Sequence, residues 1–154
     1  MQYTSKIIWQ RNDAIFSDNR YSRKHTWQFD GGIEVAASSS PQVVRVPLSD
    51  AAAVDPEEAF VASLASCHML WFLDITARAG FIIDSYVDDA AGVLAKNGDG
   101  KIAMTIVTLK PHVIFSGEKR PSRDNIQQMH HKAHEECFIA NSVKCEIRCE
   151  PVFD

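Results

Sequence analysis

Apolar and polar positions along the chain alternate in some stretches and repeat with a helical period in others, and this pattern predicts the elements. Ile7-Ile8-Trp9, then His25 to Phe29, then Ile33-Glu34-Val35 after an Asp30-Gly31-Gly32 turn predict a hairpin with a preceding strand. Residues 36 to 55 carry Ser38-Ser39-Ser40-Pro41 and Pro47, which argue against a central strand and predict a long connection. A helix then opens with Asp55 as N-cap, Pro56 in the first helical position and Glu57 and Glu58 in the first turn, and it stops at Gly80. Its apolar residues fall on every face, which predicts enclosure on most sides and, in so small a protein, a partner subunit over it. Asp84 to Lys96 and Lys101 to Phe115 are strand-like around Asn97-Gly98-Asp99-Gly100, a hairpin turn. A second helix begins at Pro121-Ser122 and carries Ile126, Met129, Ala133, Cys137 and Ala140 on one stripe. Finally, Val143, Cys145, Ile147 and Cys149 alternate with Lys144, Glu146, Arg148 and Glu150, the pattern of a half-buried antiparallel strand. Without an internal repeat or a βαβ series, the fold class is α+β, in a single domain over residues 1–154.

Composition narrows the class. At 154 residues, 45% hydrophobic and 23% charged, the chain has enough core to fold without disulfide or metal staples. Sixteen Lys and Arg against 20 Asp and Glu, with no basic run, disfavour a nucleic-acid surface and an anionic membrane. The N-terminal residues lack the apolar core of a signal peptide, so the expected location is the cytoplasm. The longest uncharged apolar stretch, Ala59 to Leu73, is 15 residues, short of the ~20 a membrane helix needs.

Four cysteines in a reducing compartment call for a reading site by site. Cys145 and Cys149, four apart on a strand, lie ~13 Å apart and cannot bridge, so both are expected to be packing residues. Cys67 sits in the small-residue run Leu64-Ala65-Ser66-Cys67-His68-Met69, where reactivity requires a cation from elsewhere in the fold, because consecutive helical side chains diverge. His130, His134 and Cys137 follow i, i+4, i+7 spacing and could bind a transition metal, with His68 and His112 as further candidates. The HxxxH spacing lacks the glutamate of a zinc-peptidase motif, and nucleotide-binding, nucleophile-elbow and CxxC signatures are absent.

Val54-Asp55-Pro56-Glu57-Glu58-Ala59-Phe60, Ser63 to His68 and Ala133-His134-Glu135-Glu136-Cys137-Phe138-Ile139-Ala140-Asn141-Ser142 together resemble the OsmC/Ohr family of osmotically inducible and organic hydroperoxide resistance proteins. The resemblance covers nearly the whole chain. It implies an OsmC-like fold, with antiparallel sheets around a long buried helix, and an intertwined homodimer with two active sites at its interface. It further implies a thiol-dependent peroxidase in which Cys67 is the peroxidatic and Cys137 the resolving cysteine. Glu57 then matches the acid that orients the site arginine, which is Arg23, with Arg20 the alternative. Organic hydroperoxides are the expected substrates, ahead of hydrogen peroxide as the alternative, with Trp71, Phe72 and Phe138 as candidate apolar walls. The expected reductant is an external thiol or dithiol, a lipoyl group or small thiols, with no metal or other cofactor. Phe138 departs from the proline usual after the resolving cysteine, which places the chain nearer an OsmC-like subgroup. The competing reading is a non-catalytic dimeric protein of the same fold that binds a small ligand or a metal.

Ten helical residues separate Glu57 from Cys67 by ~15 Å and put them on different faces. Either the first turn is a separate short piece, or Glu57 acts through the long arginine side chain.

Overall fold

The computed structural model describes residues 1–154, which divide into two compact units, Met1–Ala59 and Phe60–Asp154. The chain is α+β. In the first unit β1 (Ser5–Ile8), β2 (His25–Phe29) and β3 (Glu34–Ala37) form an antiparallel sheet in chain order. Its register puts Trp27 opposite both Ile7 and Val35, so these apolar side chains line one face. The β2–β3 turn closes where the Gly32 amide donates to the Phe29 carbonyl at 3.0 Å, with Gly32 in the left-handed region at φ 84°. The connection expected over residues 36 to 55 holds no strand beyond the end of β3, apart from a single bridge between Ala37 and Val54.

Helix α1 (Pro56–Arg78) begins as its sequence predicts. The Glu58 amide donates to Asp55 Oδ1 at 2.8 Å, while the Asp55 amide donates to Glu58 Oε2 at 3.2 Å, a reciprocal capping box. The helix is unbroken, which removes the alternative of a separate first turn. At 23 residues and a mean hydropathy of 1.4 in its most apolar stretch, it is long and apolar enough to cross a membrane, although Ala59 to Leu73 alone is not.

The second unit contains β4 (Ile82–Asp88), β5 (Ala91–Lys96), β6 (Ile102–Leu109), β7 (Pro111–Ser116), α2 (Arg123–Glu136) and β8 (Glu146–Cys149). The hairpin turn lies where expected: Asn97 Oδ1 accepts the amides of Asp99 and Lys101, each at 3.0 Å. Each long arm is nevertheless two strands. β4 pairs with β7 and β5 with β6, because the ribbon breaks at Asp88 and at Lys110-Pro111. There the Lys110 amide turns to Asp88 Oδ1 at 2.7 Å, and Pro111 has no N–H with which to continue the ladder. The last strand corrects the expectation of an antiparallel partner, since β8 runs parallel to β6 from Ile106↔Glu146 to Leu109↔Cys149. Its alternation of exposed Glu146 and Arg148 with half-buried Ile147 and Cys149 follows the pattern, which encodes the buried face but not the direction.

Helix α2 is capped by Ser122, whose Oγ accepts the Asn125 amide at 3.1 Å while Asn125 Oδ1 accepts the Ser122 amide. The helix ends at Glu136, before the last two residues of its apolar stripe, Cys137 and Ala140. Cys137 is its extended C-cap at φ −65° and ψ 111°, not a residue of the helical stripe.

The core of this unit lies along one stripe of α1, Leu64, His68, Phe72 and Thr76. Leu64 packs with Val107 and Leu109, and Phe72 with Met129 and Ala133. Enclosure of α1 on most sides does not occur within one chain, where Leu70 remains 60% exposed.

Candidate functional site

In the second unit, Cys67 stands half-buried on α1 beside Ala65 and Ser66. Cys137, immediately after α2, is 1% exposed. The turn after α2 fixes its thiol, for the Ala140 amide donates to Cys137 Sγ at 3.4 Å. Burial, and then the neighbouring Cys67 thiol, push the Cys137 thiol up to about 11. The middle of α1 and the cap of α2 thus make the two cysteines neighbours, and both are free thiols. One helical turn beyond Cys67, Trp71 meets Phe138 edge-on with ring centroids 5.5 Å apart. Both are surface-accessible, as a pocket wall requires. Phe72 is not a wall: it is fully buried and stacks on His130 at 3.9 Å, because it belongs to the inward stripe of α1.

The other two expected residues lie in the first unit, where Arg23 and Glu57 line one cavity of about 480 Å³ with Ile7, Trp9, Phe16 and Tyr21. Phe16 stacks on Tyr21 at 4.6 Å, and Trp9 meets Tyr21 edge-on at 5.4 Å, so the wall is largely aromatic. The Arg23 guanidinium lies 3.9 Å over the Tyr21 ring and donates to the Asn19 carbonyl at 3.0 Å and Asn19 Oδ1 at 2.9 Å. Its backbone is held as well. The Trp27 indole donates to His25 Nε2 at 2.9 Å, which leaves His25 Nδ1–H to donate to the Arg23 carbonyl at 2.8 Å. Arg23 forms no ion pair with Glu57; Asn19 and Tyr21 orient it instead. Arg20 is exposed and outside the cavity lining, its amide turned to Asp18 Oδ1 at 2.8 Å.

The histidine stripe behaves differently from its spacing. His130 turns inward from α2, and its Nδ1 lies 3.0 Å from Nε2 of His68 on α1, the two rings parallel within 8°. These side chains are 2% and 1% exposed. Cys149 Sγ on β8 lies 3.7 Å from His68 Nε2, so the cysteine beside the histidines is Cys149 and not Cys137. Burial holds both imidazoles neutral, lowering His68 to about 4 with help from His134 and His130 to about 3 with help from His68. His112 is occupied elsewhere, 3.0 Å from the carboxylate of Asp154. The role of Cys149 was hidden in the sequence because its partner lies on another element, and only the burial of its face was signalled.

The sequence profile of the family described as OsmC-like protein matches residues 49–151. An OsmC-like protein of unknown function from Vibrio cholerae has a structure similar to this chain at a TM-score of 0.97, with 52% identity over 99% of each chain. The chain also resembles an organic hydroperoxide resistance protein OsmC from Legionella pneumophila, at a TM-score of 0.72 and 13% identity over 99% of this chain and 98% of that one. The organic hydroperoxide resistance protein OhrB of Bacillus subtilis is similar at a TM-score of 0.65 and 20% identity, over 97% and 98% of the two chains. At such identities these last two likenesses concern the fold. No curated protein matches the chain.

Proposed function

The chain belongs to the OsmC-like family, and from that premise we propose that it is a thiol-dependent peroxidase reducing organic hydroperoxides in oxidative-stress defence. The observation that carries this reading is a half-buried Cys67 on α1 next to the buried Cys137 that caps α2, near enough to act on its thiol. The Cys67 thiolate attacks the distal oxygen of ROOH, breaking the O–O bond; ROH leaves after taking a proton, and Cys67 becomes a sulfenic acid. Cys137, which burial keeps protonated at neutral pH, condenses with the sulfenic acid to give a disulfide and water. An external thiol or dithiol, a lipoyl group among them, reduces the disulfide by exchange and is itself oxidised.

In this reading Arg23 is the cation that stabilises the Cys67 thiolate, and Glu57 is the acid that shares the cavity of Arg23 without pairing with it. The largely aromatic cavity with Arg23 in its wall supports an organic rather than an inorganic peroxide. So do the names of the relatives from Legionella pneumophila and Bacillus subtilis, described as organic hydroperoxide resistance proteins. The working form is a homodimer in the cytoplasm, the partner subunit covering the side of α1 where Leu70 is 60% exposed. No nucleic acid, membrane, metal or other cofactor takes part in the reaction.

A thiol count before and after one equivalent of cumene hydroperoxide, with peptide mapping, tests the proposal. Loss of two thiols into a Cys67–Cys137 link is expected. Four unchanged thiols overturn it.

A further inference from the structure

His68, His130 and Cys149 form a cluster that the peroxidase chemistry does not use. Their ligand atoms, His68 Nε2, His130 Nδ1 and Cys149 Sγ, all lie within 4.8 Å of one another. We propose that these three residues bind one zinc-class divalent transition-metal ion, with the fourth position open to the neighbouring cavity.

The sulfur distance suits such an ion, and the nitrogen pair must open from a hydrogen-bond length to fit it. With Zn–N near 2.0–2.1 Å and Zn–S near 2.3 Å, a tetrahedral site has N···N edges of about 3.4 Å and N···S edges of about 3.6 Å. The observed His68···His130 and Cys149···His68 separations are 3.0 and 3.7 Å. Three elements supply the ligands, α1, α2 and β8, so the cage is set by tertiary structure and not by a local motif.

The hydrogen bonding of the metal-free cluster is incomplete. Each neutral imidazole carries a single N–H. If a proton lies between the rings, one outer nitrogen is left as a donor without an acceptor and the other as a lone pair without a donor. If both protons lie outside, two lone pairs oppose each other at 3.0 Å, an arrangement that a cation would relieve once the two rings part to a metal-ligand edge. His68 Nδ1 and His130 Nε2 are both buried without partners, as are Tyr86 Oη and Asp88 Oδ2. Only Ser49 elsewhere in the chain has a buried side-chain atom in this condition. Ligation through the facing nitrogens, His68 Nε2 and His130 Nδ1, would fix each outer nitrogen as an N–H donor, which removes the choice of tautomer without pairing those atoms.

Charge agrees with the proposal. Burial, then Asp88 and then Glu150, push the Cys149 thiol up to about 12, and burial raises Asp88 also. Both groups act on Tyr86, whose phenol is raised mainly by burial, so they share one environment. A divalent ion balances one thiolate and one carboxylate. On binding, the S–H bond of Cys149 breaks, the S–metal bond forms and the proton leaves to solvent. A cavity of about 320 Å³ that His130, His134 and Cys149 line gives the entry path.

Titration of the reduced full-length protein with Co²⁺, without peroxide, tests the site. The expected result is one Co²⁺ per chain, a thiolate-to-cobalt charge-transfer band and displacement by Zn²⁺. Cys149→Ser should abolish the band and, like His130→Gln, weaken binding by more than about 100-fold, the upper end of what loss of an outer-shell partner costs. Cys67→Ser should retain the band. Zn²⁺ should protect Cys149 from alkylation in the unmodified chain, a readout independent of whether the variants fold. Absence of saturable binding, an unprotected Cys149, or a band that survives Cys149→Ser and disappears in Cys67→Ser overturns the proposal.

Discussion

Cys137, the cap at the end of α2, is a neighbour of Cys67 on α1, and burial with that neighbour pushes its thiol up to about 11. The pair is asymmetric: Cys67 is half-buried and Cys137 is 1% exposed, so a peroxide approaching from solvent reaches Cys67 first. Cys67→Ser is therefore expected to reduce peroxide consumption to the uncatalysed rate. Cys137→Ser should still consume one equivalent per chain and then stop, leaving a sulfenic acid that dimedone labels. Stopped-flow consumption of cumene hydroperoxide with mass analysis separates these outcomes. Equal activity in both variants contradicts the assigned order.

Arg23 and Arg20 are distinguished by their surroundings. Arg23 lines the aromatic cavity and engages Asn19 through two guanidinium nitrogens, whereas Arg20 is exposed. Lysine cannot reproduce that planar fork. Arg23→Lys is expected to lower kcat/KM by about 10-fold or more, a loss of at least ~1.4 kcal/mol of transition-state stabilisation, and Arg20→Lys to leave it within twofold. Steady-state kinetics at saturating reductant decide the matter.

The buried imidazole pair makes stability fall in acid. His68 and His130 have an ordinary value of 6.5 in the unfolded chain and are lowered in the fold to about 4 and about 3, mainly by burial. Below pH 6.5 the unfolded chain takes up protons that the folded chain refuses, so stability is complete above that pH and is lost as pH falls towards 4. Each histidine contributes up to about 1.4 kcal/mol per pH unit in that window. His134, Tyr86, Asp88 and Cys149 act on the same cluster, so the metal-free, reduced chain is the form to measure. Urea unfolding at pH 7.5, 6 and 5 should show a falling midpoint, and His130→Gln should flatten the fall. An unchanged midpoint contradicts a neutral buried pair.

The parts legible in the sequence are those that local chemistry determines. Asp55, Pro56 and Glu58 form their capping box within four residues, Asn97 closes its own turn, and Ser122 caps α2. Direction and partnership depend on distant residues. The alternation through Ile147 and Cys149 shows a buried face equally well for parallel and antiparallel neighbours, so the pairing of β8 with β6 could not be read from it. His130 shares helical spacing with His134 and Cys137, but its contact is His68, 62 residues away. Cys149 alternates like a packing residue in the sequence, while its neighbour in space, His68, lies 81 residues earlier. The family resemblance supplied Cys67 and Cys137 as a pair; periodicity alone placed Cys137 on a helical stripe that in fact ends before it.

Gly92 on β5 lies against Val61 on α1 and Met104 on β6. A Cβ there would stand 2.6 Å from both Val61 Cγ2 and Met104 Sδ. Methionine is unbranched and can swing its sulfur aside, whereas valine on a helix is confined to essentially one rotamer, so the clash with Val61 is the harder to relieve. Gly92→Ala is expected to destabilise the protein by about 1–3 kcal/mol, the usual cost of overpacking. Adding Val61→Ala to that variant should recover part of the loss, although Val61→Ala alone destabilises by removing apolar packing around Leu64, Val107 and Leu109. The signature is a coupling of opposite sign to the single effects, measured by urea unfolding of the four chains in a double-mutant cycle. Additive losses would mean that β5 moves away from α1 instead of pressing on Val61.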